Sequence, residues 1–187
     1  MGQALVIGSP GILKNACLGL ARRGFSLALI ARDKPKLEEL AAECFLVGRG
    51  QPRVFEADPR NGPQLDKVLR EAAPRAADFD LAVCWLPTLA AKALDLVAHH
   101  LADKGAPPRL VHVVGSVAEN PSQEKFARRD LEALGIRYRR VVMGYTIEEG
   151  KARWLADEEV CAGILETIDS DAPDSVIGQV EPWEGHP

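Results

Sequence analysis

An α/β fold with a single doubly wound parallel sheet of about seven strands is what this sequence predicts, and three observations lead there. Short apolar, β-branched runs recur along the chain without the polar alternation of a half-exposed strand, which is how strands covered on both faces read. Between them lie segments with apolar residues at spacings of three, four and seven, the period of a helix with one buried face. The first run ends in a glycine pair, Gly8 and Gly11, just before the first such segment.

Taken in order, Ala4–Gly8 is the expected first strand, and Leu13, Ala16, Cys17 and Leu20 mark the helix after it. Phe25–Ala31 follows as the second strand, with Leu37, Leu40, Ala41 and Cys44 on the next helix. Arg53–Ala57 and Asp80–Trp85 are the third and fourth strands, followed by helices carrying Leu65, Val68 and Leu69, then Leu94, Val97 and Leu101. Arg109–Val114 is the fifth strand, and a short helix over Pro121–Leu134 leads to the sixth, Arg137–Val142. Val160, Ile164 and Ile168 supply the last helix before a seventh strand, Ser175–Val180. Asn61-Gly62-Pro63, Lys104 to Pro108 and Asp171-Ala172-Pro173 read as loops. With no internal repeat or long linker, residues 1–187 are read as a single domain.

Composition excludes several classes of function. The apolar share of 47% and charged share of 27% are those of an ordinary globular protein, and 187 residues can bury a core without disulfides or metals. A net charge of -4 with no concentrated basic face predicts no nucleic-acid partner. Cys17, Cys44, Cys84 and Cys161 are far apart and form no C-x-x-C pair, so neither zinc nor a disulfide framework is expected, and a cytoplasmic location fits. The stretch from Leu81 to Leu94 is broken by Pro87 and Lys92, and Met1-Gly2-Gln3 runs into a strand rather than a signal peptide; no membrane span is expected.

The segment Gly8-Ser9-Pro10-Gly11 occupies the first strand-to-helix turn. Glycines suit it because the backbone must turn tightly and let a pyrophosphate approach the free N–H groups and positive end of the helix. The second strand ends about 20 residues beyond Gly11, the spacing of a dinucleotide fingerprint, so the expected fold is a Rossmann fold. A site for NAD usually offers a carboxylate there to the ribose 2′-hydroxyl, but this chain reads Ile30-Ala31-Arg32. A guanidinium pairs with a 2′-phosphate, so NADP is the expected cofactor. Asp33 either holds a ribose hydroxyl or neutralises Arg32, and the sequence leaves both open.

From Ala4 to about Gly144 these residues resemble the short-chain dehydrogenase/reductase superfamily. Leu5 to Leu13 is similar to that family's nucleotide turn in the Gly-x-x-Gly-x-x-Gly spacing of its extended and atypical members, which places Ile12 and Leu13 beside the cofactor and Lys14 at the third glycine. Lys14 then either points outward or reaches a cofactor phosphate. Leu29-Ile30-Ala31-Arg32-Asp33 resembles the NADP-selecting end of the second strand, and Asp58 matches the aspartate that contacts the adenine amino group. Cys84-Trp85-Leu86-Pro87 stands where the family has Asn-Asn-Ala-Gly, putting Trp85 and Leu86 against the nicotinamide ribose. Val111 to Ser116 resembles the strand that ends in the catalytic serine, and Ser116 falls on that residue. Met143-Gly144-Tyr145-Thr146 resembles a variant of the Pro-Gly segment, in which the Gly144 backbone meets the nicotinamide carboxamide. The family's Tyr-x-x-x-Lys has no counterpart: the helix over Pro121–Leu134 holds no tyrosine, and Lys125 and Arg129 are its cations at helical spacing.

What the resemblance implies is an NADP-binding, short-chain dehydrogenase/reductase-like oxidoreductase acting on a small carbonyl-type substrate, with Ser116 and Tyr145 assisting. Ser116 reads equally as a loop cap, and Tyr145 as a lid over the pocket. The alternative function is a non-catalytic NADP-binding sensor. His112, within a strand, reads as a core imidazole, and the pair His99-His100 as a helix-end charge beside Asp103. Trp154 belongs either to a substrate loop or to a hydrophobic staple ahead of the last helix. Trp183 packs on the sheet or on a neighbouring subunit, which leaves a homo-oligomer open.

Overall fold

The computed structural model describes residues 2–8, 10–73, 79–86, 91–102, 108–115 and 125–181, with only the backbone at 91, 125–127 and 129. Seven parallel strands form one sheet: β1 (Gln3–Ile7), β2 (Ser26–Ala31), β3 (Arg53–Glu56), β4 (Leu81–Trp85), β5 (Arg109–Gly115), β6 (Arg137–Met143) and, at the far edge, β9 (Asp174–Ile177). Their spatial order is β3-β2-β1-β4-β5-β6-β9, so the chain steps outward from β1 to β3 and then returns to build the other half from β4. The reversal between β1 and β4 opens a crevice at the carboxyl ends of the strands, where ligands of such sheets bind.

Among the described residues six helices cover the two faces: α1 (Lys14–Arg22), α2 (Lys34–Val47), α3 (Gly62–Ala72), α4 (Ala91–Ala102), α5 (Lys125–Ala133) and α6 (Asp157–Ser170). The period-two geometry of a strand sorts its side chains between those faces. In β1, Ala4 and Val6 join Leu13, Cys17, Leu40 and Ile164 of the α1, α2 and α6 side, whereas Leu5 and Ile7 join Leu65, Val97 and Leu131 of the α3, α4 and α5 side. Both faces of the central strands are buried, which is why their runs read as continuously apolar.

Several expectations are corrected. Gly8 lies just beyond β1, Phe25 just before β2, Ala57 just after β3 and Asp80 just before β4, while β9 spans Asp174–Ile177 rather than Ser175–Val180 because Gly178 turns the chain with φ of 73°. Asn61-Gly62-Pro63 is a helix start, not a loop: Asn61 caps α3, its Oδ1 accepting from Gln64 N at 3.2 Å. The expected helix over Pro121–Leu134 is α5 from Lys125, and residues 121–124 lie outside those described. Between β6 and α6 stands a hairpin that periodicity did not predict, β7 (Tyr145–Glu148) paired antiparallel with β8 (Lys151–Trp154). Its two-residue turn, Glu149-Gly150, has φ of 51° and 77°, the positive values that a type I′ turn needs.

That hairpin changes the reading of Trp154, which ends β8 opposite Tyr145 and is 47% exposed. The staple position before α6 belongs to Leu155, which packs in the same cluster as Val160. Ala156 is the N-cap, and Glu159 of the first turn accepts from its backbone N–H at 2.7 Å. At the other end of this helix, Asp171 takes the left-handed conformation (φ 53°) and closes it.

Candidate functional site

The carboxyl edge around β1 is built by crowding. Gly8 has φ of 138°, and a Cβ there would lie 2.6 Å from the carbonyl oxygen of Trp85. Its N–H donates to Ile30 O at 3.1 Å, so the residue bridges the ends of β2 and β4 at the point where strand order reverses. Glycine is demanded here by backbone strain and by β4 itself, in addition to any ligand. Residues 10–13 form the turn into α1, whose N-cap, Leu13, has no side chain to bond the first turn; no acid lies in that turn. The N–H groups of Gly11, Ile12 and Leu13 have no acceptor among the described residues. Such donors at a positive helix end suit an anion.

Gly8 and Gly11 open onto a cleft of about 580 Å³ whose other walls include Trp85, Arg32, Lys36 and Arg60. Its volume lies in the range of ligand pockets. Arg32 follows β2, is exposed, and has no ion-pair or hydrogen-bond partner among the described residues. Asp33, its neighbour, is the N-cap of α2: Oδ1 accepts from Lys36 N at 3.1 Å and Oδ2 lies 3.3 Å from Lys36 Nζ. That backbone hydrogen bond, with help from the Lys36 ammonium, holds the carboxyl below its ordinary range. Asp58 follows β3 and clasps Arg60, taking its backbone N–H at 2.9 Å, its Nε at 3.1 Å and its Nη2 at 2.8 Å. These bonds, and the nearby Arg32 charge, pull the Asp58 carboxyl down to about 2.

The expected cofactor residues therefore divide. Gly8, Pro10, Gly11, Arg32, Asp58 and Trp85 meet in the cleft. Ser9 and Ser116 lie outside the described residues. Leu13 is 1% exposed and Ile12 partly buried, both packed with the α1, α2 and α6 core. Leu86 is buried in the opposite core. Gly144 donates its N–H to Ile177 O at 2.9 Å, and a Cβ on it would overlap the Gln179 carbonyl, so this glycine is explained by the close approach of the returning chain. Tyr145 is fully enclosed and exchanges backbone hydrogen bonds with Gln179 at 2.9 and 2.8 Å. Lys14 points outward, its Nζ 2.7 Å from Glu43 of α2.

His112 is a buried imidazole with Nδ1 2.9 Å from the Tyr138 hydroxyl. His99 and His100 lie in the last turn of α4, and His100 also bonds Asp66 of α3 at 2.9 Å. Sequence reasoning passed over Lys36 and Arg60. Arg60 had a signal, since Asp-Pro-Arg-Asn favours a turn in which the aspartate accepts from the N–H two residues on.

No family model matches the chain, and no curated protein matches it. Solved structures do. A short-chain type dehydrogenase/reductase from Mycobacterium marinum superposes with a TM-score of 0.78 at 21% identity over 97% of this chain and 95% of that one. A betaketoacyl-ACP reductase, FabG, from Bacteroides thetaiotaomicron gives 0.71 at 18% identity, covering 95% and 96%. An NADH-dependent reductase, A1-R′, complexed with NAD, gives 0.72 at 13%, covering 95% of each. The chain shares the fold of these structures, a short-chain type dehydrogenase/reductase among them.

Proposed function

We propose that this chain binds NADP in the cleft beside Gly8 and Gly11 and works as a short-chain dehydrogenase/reductase-like oxidoreductase on a small carbonyl compound. The observation that carries the reading is Arg32: a guanidinium at the end of β2 with no ion-pair or hydrogen-bond partner among the described residues, in the cleft that the turn into α1 opens onto. Two negative oxygens of a 2′-phosphate match its fork of donors. A ribose diol would want a carboxylate acceptor instead, and both nearby carboxylates are committed, Asp33 to Lys36 and Asp58 to Arg60.

The cofactor, when bound, supplies the hydride. The N–H groups of Gly11, Ile12 and Leu13 bond the pyrophosphate, and the α1 terminus favours its charge. Trp85 walls the cleft on the β4 side. Ser116, next in the chain after Gly115 of β5, is assigned to the substrate oxygen. The enclosure of Tyr145 favours a bracing role, holding β7 to Gln179, over proton transfer. A second reading, cofactor binding without turnover, is favoured by the sequence between Ser116 and Arg137, which holds no tyrosine to act with a lysine. The buried, free Cys17, Cys44 and Cys84 suit the reducing cytoplasm proposed for either reading.

Calorimetry tests the binding. Arg32→Ala should weaken NADP by roughly tenfold or more, the loss of about 1.5–3 kcal/mol expected of a charged hydrogen-bonded pair, and leave NAD nearly unchanged. An unaltered NADP preference removes the assignment. NADPH oxidation against aldehydes, ketones and quinones separates the two readings: turnover lowered by Ser116→Ala supports the reductase, and tight binding without turnover supports the sensor.

A further inference from the structure

Strands β2 and β3 run side by side with Ala31 paired to Glu56, and Ala57 N donates to Ala31 O at 2.9 Å. The residues that follow, Arg32 on one strand and Asp58 on the other, therefore leave the sheet next to each other, about one strand spacing apart. Asp58 does not face the cleft as a free acceptor. Its Oδ1 takes the Arg60 N–H and Nε, and its Oδ2 takes Nη2, so most of its lone-pair sites are filled by one residue. The guanidinium it holds lines the same cleft as Arg32, is about half exposed, and keeps both Nη1 donors and one Nη2 donor unused by that clasp.

We propose that Arg60 is a second specificity-determining cation for the 2′-phosphate of the dinucleotide, and that Asp58 is the positioning residue that holds it there rather than an acceptor for the adenine amino group. The proposal rests on the cofactor reading above and deepens it. A carboxylate fork fixes the plane of Arg60 before the ligand arrives, so little side-chain freedom is lost on binding. The cleft's cations, Arg32, Lys36 and Arg60, stand against two carboxylates, Asp33 and Asp58, each of which clasps one of them. The local field is thus mildly positive without ligand, which favours a 2′-phosphate placed between Arg32 and Arg60. A dinucleotide with a plain ribose gains nothing from Arg60.

Dissociation constants of NADP and NAD, measured calorimetrically for the wild type, Arg60→Ala, Arg60→Lys, Asp58→Asn and the double variant Arg60→Ala with Asp58→Asn, test it. Arg60 is exposed, so its removal leaves the fold intact. Arg60→Ala should weaken NADP about tenfold and NAD less than about twofold, with Arg60→Lys recovering part of the loss. Asp58→Asn should lower the NADP-over-NAD preference about threefold in the wild-type background and change nothing once Arg60 is gone, the signature of a residue acting through another. If Asp58→Asn weakens both dinucleotides equally whether or not Arg60 is present, Asp58 is the adenine acceptor and the proposal is overturned. A preference that falls with Arg32→Ala but not with Arg60→Ala overturns this inference alone, whereas failure of the wild type to bind either dinucleotide overturns it together with the cofactor reading.

Discussion

Gly8 answers to two neighbours at once, which makes it the least replaceable residue of the turn. Its φ of 138° is open to glycine and closed to side chains, and the Trp85 carbonyl fills the place of a Cβ. Gly8→Ala should cost about 1–3 kcal/mol from backbone strain, before any effect on ligand, and guanidinium titration would read it as a lower midpoint at unchanged slope. Gly11 presents a different case. It lies exposed in the turn, its carbonyl accepting from Lys14 N at 3.2 Å, and its N–H is one of the donors offered to the cleft. Gly11→Val should abolish binding of both dinucleotides while leaving the circular dichroism spectrum close to wild type. Retained affinity would move the nucleotide elsewhere. The difference between the two glycines was invisible in the motif, because Gly-x-x-Gly says where a backbone turns and not what crowds it.

Among the elements, the junction of α6, β5 and β6 is tied by charge. Asp171, which closes α6, accepts from Arg139 at 2.7 and 3.0 Å and lies 3.4 Å from Arg137 and 3.5 Å from Arg109, while Arg109 also caps the Ile168 carbonyl near the helix end. The Arg139 guanidinium, followed by the other two arginines, holds the Asp171 carboxyl below its ordinary value of 3.8. A carboxyl whose value is depressed by folding stabilises fully above its unfolded value, and that stabilisation is lost as the pH falls through the folded value. Asp171→Asn should therefore be less stable by about 1–2 kcal/mol at neutral pH, after allowance for solvent screening, and the gap to wild type should narrow as the pH falls below 3.8 through the depressed folded value. Thermal melts of both proteins between pH 7 and pH 2.5 would show the convergence; a gap constant across that range removes the linkage. On the hairpin, Arg153 bridges Glu148 at 2.5 Å and Glu159 at 2.8 Å, which anchors β7 and β8 to the start of α6.

At the scale of the molecule, the crevice lies over the middle of the sheet, where β1 is flanked by β2 and β4 and both cores converge. A ligand held there by Gly8, Arg32 and Trp85 touches the ends of three strands and one helix, so its binding free energy is felt by the cooperative unit they form. NADP at 100 times its dissociation constant should add about 2.7 kcal/mol to stability, which for a chain of this length raises the melting temperature by roughly 5–10 °C. NAD at the same concentration should give a smaller shift, and Arg32→Ala should narrow the difference between the two. Equal shifts in the wild type would remove the 2′-phosphate from the account. Among the described residues no helix is long and apolar enough to cross a membrane.

Periodicity is a local property, and what it encodes was determined by the sequence alone: the parallel strands, the apolar faces of α1 to α4 and α6, and the turn between β1 and α1. Each of those signals needs only neighbours within a few residues, and a strand buried on both faces announces itself by its lack of alternation. Arg32 was legible for the same reason, since its place is counted from the strand it follows. The β7–β8 hairpin was not, because Lys151–Trp154 carries two cations and no apolar run, and the Glu149-Gly150 turn is weaker than an asparagine-glycine pair. Only the tertiary structure decided which partner each charge would take. Lys14 turned to Glu43 of the next helix, Tyr145 was sealed by the returning Gln179 segment, and Asp58 closed on Arg60 beside Arg32. A charge's partner depends on which chain segments the fold brings within a few ångströms, and that distance is set by the packing of the whole sheet and written in no single stretch of residues.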